Sequence, residues 1–96
     1  MLEFIGGLSQ DVQEQFWDAL RLLENGETLT MPVSRMLPSI SRGLHELRFK
    51  DSAGIYRVFY YVKVKDAIYM LHAFQEKTQE TPPKETKLVI KRIKEL

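Results

Sequence analysis

Arginine and histidine set within apolar, β-rich stretches are the side chains of this sequence that could do chemistry. Arg48 and Arg57 each lie in a segment that reads as half-buried strand, and His72 lies in a third. Arg57 stands between Tyr56 and Val58, in the most hydrophobic part of the chain. Burying an unpaired guanidinium is costly, so Arg57 needs a carboxylate partner or an open groove. Glu46 is the nearest carboxylate in the strands, and a structural Arg57–Glu46 pair is the plain reading of both. The alternative is phosphoryl transfer. Cutting RNA through its 2′-hydroxyl requires a base for that hydroxyl, an acid for the departing 5′-oxygen, and fixed positive charge at the phosphorus. Histidine titrates near neutrality and suits the proton transfers. Arginine grips phosphate oxygens with a planar fork and stays protonated. Lys77, just after the third strand, offers a second cation. A lone strand histidine is also commonly structural, so His72 carries both readings.

Other chemistries lack their residues. There is no cysteine, which removes disulfides, zinc–thiolate sites and thiol nucleophiles. Two histidines at 45 and 72 do not have metal-ligand spacing, so no metal or cofactor is expected. No glycine-rich phosphate loop, nucleophile elbow or carboxylate dyad occurs. Tyr56, Tyr60, Tyr61, Tyr69 and Phe74 interleave with the basic positions and could stack on bases, although most are expected to be core.

The elements that must position these residues follow from hydrophobic period. Residues 9–25 predict an amphipathic helix, with Val12, Phe16, Leu20 and Leu23 at helical spacing, Ser9 as N-cap and Gly26 as the stop. Residues 27–43, with Pro32, Pro38 and Gly43, read as a connector without firm assignment. The period then changes to two. Leu44–Lys50, Ile55–Val64 and Ala67–Phe74 predict three antiparallel strands, broken at Asp51–Gly54 and at Lys65-Asp66. Lys63 facing Asp66 would put Arg57 opposite His72 and Phe59 opposite Met70. Arg48 joins their face only if residue numbers paired across the first hairpin have an odd sum, for instance Phe49 opposite Tyr56; a one-residue slip reverses it. Thr81 can cap a last helix opening with Pro82 and Pro83, with Leu88, Val89, Ile90, Ile93 and Leu96 on its apolar face. The order predicts an α+β fold: a small antiparallel sheet with an N-terminal and a C-terminal helix packed on one face.

Ninety-six residues, 44% hydrophobic and 28% charged, suit one globular domain over 1–96. The longest apolar runs fall far short of the ~20 residues a spanning helix needs, and no signal peptide is visible, so a cytoplasmic protein is expected. The net charge of +1 is uninformative until divided: residues 1–34 carry −5 and residues 35–96 carry +6. Such asymmetry can mark a polyanion-binding face, although Lys84, Lys87, Lys91, Arg92 and Lys94 could merely solvate the last helix.

The segments "GLHELR" (43–48), "YRVFY" (56–60) and "LHAFQEKTQETP" (71–82), with "LLENG" at 22–26 and the Lys-rich closing helix, cover nearly the whole chain. Together they resemble the phage-derived HigB-like branch of the RelE/HigB toxin superfamily. That resemblance implies a type II toxin–antitoxin toxin: a metal-independent endoribonuclease that cleaves mRNA, commonly on the ribosome, inhibits translation, and is neutralised by a cognate helix-turn-helix antitoxin in a hetero-oligomer. It implies a transition-state-stabilising role for Arg57, an RNA-binding role for Arg48, and places for His72 and Lys77 at the catalytic site. Lys50, Phe74, Thr78 and Lys84 are expected to contact RNA around them. By this reading Arg57→Ala abolishes cleavage while leaving the fold intact. Two departures stand out. Relatives usually carry Lys-Lys-Thr where this chain has Glu76-Lys77-Thr78, and they have a β-strand before the segment matching Leu2–Ile5 that this sequence does not contain, so that either the start is a fragment or misassigned or the protein is a shortened member. An open sheet edge is therefore expected, which another chain could cover by β-augmentation. The alternative is a catalytically weakened module that keeps the fold and binds an antitoxin or other protein.

Overall fold

A computed structural model describes residues 2–27, 29, 33–62, 68–76 and 82–96. Helices α1 (Leu2–Gly6) and α2 (Gln10–Glu24) lead into strands β1 (Ser34–Met36), β2 (Leu44–Asp51), β3 (Gly54–Val62) and β4 (Ile68–Glu76), and helix α3 (Pro83–Lys94) follows. The strands form one antiparallel sheet in chain order. The fold is α+β, as the periods predict.

Helix α2 forms for the expected reasons. The Ser9 hydroxyl accepts from the Val12 N–H at 3.2 Å, and Gly26 ends the helix at φ +83. Val12, Phe16, Ala19 and Leu23 form its buried stripe. The expected Thr81 cap lies outside the described residues. Helix α3 starts instead from Pro82 at the cap position, without a side-chain cap, and Pro83 occupies the first turn.

Strand β1 lies in the segment read as a connector. It lacks an alternating apolar pattern, because Ser34 is buried while Arg35 and Met36 are exposed. Pairing defines it: Ser34 faces Leu47 and Arg35 faces Glu46. Helix α1 was equally illegible, being only five residues long, and is held by Ile5 and Phe4 in the core.

The helices occupy both faces of the sheet, which corrects the one-face expectation. Helices α1 and α2 cover Leu47, Phe49, Tyr56, Val58, Tyr60 and Ala73. Val89 and Ile93 of α3 pack on the other face against Leu44, Phe59, Leu71 and Phe74. The reason is that β3 is apolar on both sides, with five consecutive residues from Tyr56 to Tyr60 buried. A strand buried on both faces needs cover on both.

The second hairpin also departs from the expected register. Phe59 faces His72, Tyr60 faces Met70, and Arg57 faces Phe74. Leu71 is the extra residue of a bulge opposite the Phe59/Tyr60 step. Below the bulge the pairing differs by two residues from expectation, so Arg57 and His72 keep one face but stand diagonal to each other. Above it the difference is one residue, and Met70 moves to the α2 face.

Candidate functional site

The first hairpin pairs Phe49 with Tyr56, the register that brings Arg48 directly opposite Arg57. Like charges facing each other across a strand pair repel. Here Glu76 bridges them, and Glu46 bridges Arg57 to Arg35. Arg57 Nη1 donates to Glu46 Oε2 at 3.2 Å and Nη2 to Glu76 Oε1 at 2.6 Å. Glu46 also lies 3.6 Å from Arg35, and Glu76 lies 3.6 Å from Arg48. Three arginines and two glutamates thus alternate across all four strands on the α3 face, leaving one net positive charge. Arg57 and both carboxylates are buried, whereas the side chains of Arg35 and Arg48 are 51% and 46% exposed.

The plain reading of Arg57 and Glu46 as a pair is therefore met geometrically, and Arg57 is enclosed rather than open to a groove. Arg48 and Lys50 are open. They border a groove of about 340 Å³ together with Gln15, Val33, Phe49 and Ile55. Among the described residues, the solvent-facing cations of the strands on this face are Arg35, Arg48 and Lys50, and Lys84 is exposed at the start of α3.

His72 stands diagonal to Arg57 on the same face, half-buried. Its Nε2 contacts Glu85 Oε2 from the first turn of α3. Its ring stacks on Phe74 at 5.8 Å, and Phe74 stacks on Phe59 at 5.9 Å. Phe74, expected to contact RNA, is instead core, because α3 covers the sheet there. Of the candidate stacking tyrosines, Tyr56 and Tyr60 are buried, Tyr61 is half-buried and Tyr69 is exposed. Lys77 and Thr78 lie outside the described residues.

Glu76, Glu85 and Arg35 were not singled out from the sequence. Glu76 falls just beyond the predicted strand Ala67–Phe74, yet 72, 74 and 76 share a face at period two, and that spacing is the available signal. Glu85 gave none, because its approach to His72 depends on how α3 docks.

On the opposite face His45 stacks on Tyr60 at 4.9 Å, and the Tyr60 and Ser34 hydroxyls share a 2.8 Å hydrogen bond. Burial holds the His45 pKa below its ordinary value and pushes that of Tyr60 up, the Ser34 bond partly opposing the latter. Among the described residues no group of three or more His, Asp or Glu side chains is placed to hold a metal ion, and no helix is long and apolar enough to cross a membrane.

No curated protein and no solved structure matches the chain. The model of a family described as phage derived protein Gp49-like matches residues 3–94, almost the full length, and the chain belongs to that family.

Proposed function

We propose that this protein is a type II toxin of the RelE/HigB kind, a cytoplasmic, metal-independent endoribonuclease that cuts mRNA on the ribosome and is neutralised by a helix-turn-helix antitoxin. The observation that carries this reading is the placement of Arg48 directly opposite Arg57 on the face that also bears His72. Membership in a phage-derived family agrees with it.

In this reading the exposed and the buried cations have different roles. Arg48, with Arg35, Lys50 and Lys84, holds phosphate oxygens from the exposed side. Arg57, clasped by Glu46 and Glu76, holds both carboxylates in place, so that Glu76 can anchor Arg48. His72 takes the proton of the 2′-hydroxyl as its oxygen attacks the adjacent phosphorus. The P–O5′ bond breaks, solvent water protonates the leaving oxygen, and a 2′,3′-cyclic phosphate and a 5′-hydroxyl result.

The test is cleavage of ribosome-bound mRNA by the purified protein in the presence of EDTA. Cutting by the parent and a loss of at least about tenfold in Arg48→Ala, with unchanged thermal stability, are expected. An uncut message with the parent protein would overturn the reading. The enclosure of Arg57 by two carboxylates favours one alternative, a module that binds its antitoxin without cleaving RNA. Harmless induction in cells together with tight antitoxin binding would select it.

A further inference from the structure

Glu85 is the one carboxylate of α3 that reaches a candidate reacting group, and the sequence offers no motif for it. Its Oε2 meets Nε2 of His72, and both side chains are mostly buried, at 15% and 17% exposed. The imidazole is fixed on a second side by the nearly parallel Phe74 ring, inclined by 18°. Phe74 is in turn held against Phe59 and Val89 in the core. A ring gripped at one nitrogen and across one face has little rotational freedom. Glu85 comes from the first turn of α3, where a carboxylate is favoured by the helix dipole. That helix is docked by Val89 and Ile93 and by Arg92, whose Nη1 donates to the Leu71 carbonyl at the bulge.

We propose that Glu85 is a positioning residue for His72, which rests on the ribonuclease reading above. A carboxylate accepting from Nε2–H selects the tautomer with its lone pair on Nδ1. Nδ1 is then the nitrogen that takes the 2′-hydroxyl proton. As the imidazole becomes imidazolium, the Glu85 charge stabilises it. Helix α3 thus has a part in the chemistry, because its docking brings Glu85 to the ring. The bulge contributes as well, since it puts both Leu71, which anchors Arg92, and His72 on the α3 face.

The test compares parent, Glu85→Gln, His72→Gln and the double variant on ribosome-bound mRNA, with stability followed by thermal melting. Gln keeps the size of Glu85 and an oxygen that can accept from Nε2–H, but removes the charge. We expect Glu85→Gln to lower kcat by at least about 10²-fold with KM within about twofold. The double variant should be no slower than His72→Gln alone, because the two residues act as one unit. Full kcat in Glu85→Gln, or additive losses in the double variant, would overturn the proposal while leaving the ribonuclease reading standing. A parent protein that leaves the message intact would overturn both. A lower melting temperature with unchanged kcat would reduce Glu85 to a structural anchor for α3.

Discussion

Arg57 is held by Glu46 and Glu76 in a site from which water is largely excluded, so its removal would leave two buried carboxylates without their shared cation. Breaking a buried pair from one side costs about 3–5 kcal/mol. Arg57→Ala is therefore expected to unfold at clearly lower urea concentration than the parent, against the expectation of an intact fold. Loss of RNA cleavage in that variant would not by itself assign a catalytic role, which is why Arg48 is the sharper probe. His45 gives a second test at this scale. Burial keeps its folded pKa below the ordinary 6.5, so the unfolded chain binds its proton first as pH falls. Stability is then full above about pH 6.5 and declines below it, because the unfolded state holds more protons. Between about pH 7 and pH 5 the urea midpoint of the parent should fall further than that of His45→Gln.

At the scale of elements, the site depends on pairings more than on propensities. The ladder that sets Arg48 against Arg57 runs unbroken from Leu44↔Tyr61 to Asp51↔Gly54. Asp51 fixes its turn by accepting from the Ala53 N–H at 2.8 Å and the Gly54 N–H at 3.2 Å. The strands and the turn of this half were legible, because turn chemistry and alternation agree there, although both registers of the pairing were open. The β3–β4 half was not. Nothing local marks Leu71 as the extra residue of a bulge, and its position is set by packing α3 on one face and α2 on the other. Helix α2 is the opposite case, being written in the sequence down to its cap. Ser9→Ala should lower global stability by about 1 kcal/mol, measured by denaturant unfolding, through the Val12 N–H left without its side-chain acceptor.

Over the whole molecule, charge is sorted along the chain and then folded into place. The basic two-thirds builds the sheet and α3, while the acidic third supplies α1 and α2 on the far side. If Arg35, Arg48, Lys50 and Lys84 each neutralise one phosphate, RNA affinity should fall with salt at a log–log slope of about −3. Filter binding across a salt series, using Arg48→Ala to seek a shallower slope, would check this. A slope near zero would remove the polyanion role from this face.

The sequence by itself determined the α+β class, the α2 helix with its cap and stop, three of the four strands, and Arg57's need for a carboxylate partner or an open groove. These follow from short-range causes: hydrophobic period, turn residues, and the cost of burying an unpaired charge. Tertiary structure alone decided that β3 is covered on both faces, that Ser34–Met36 pairs as a strand, and that Glu76 completes the clasp on Arg57. It also decided that Glu85 meets His72. Each joins residues brought together by register or helix docking, which single-chain spacing does not encode. A one-residue bulge is enough to rearrange them, because the face of a strand changes with every residue.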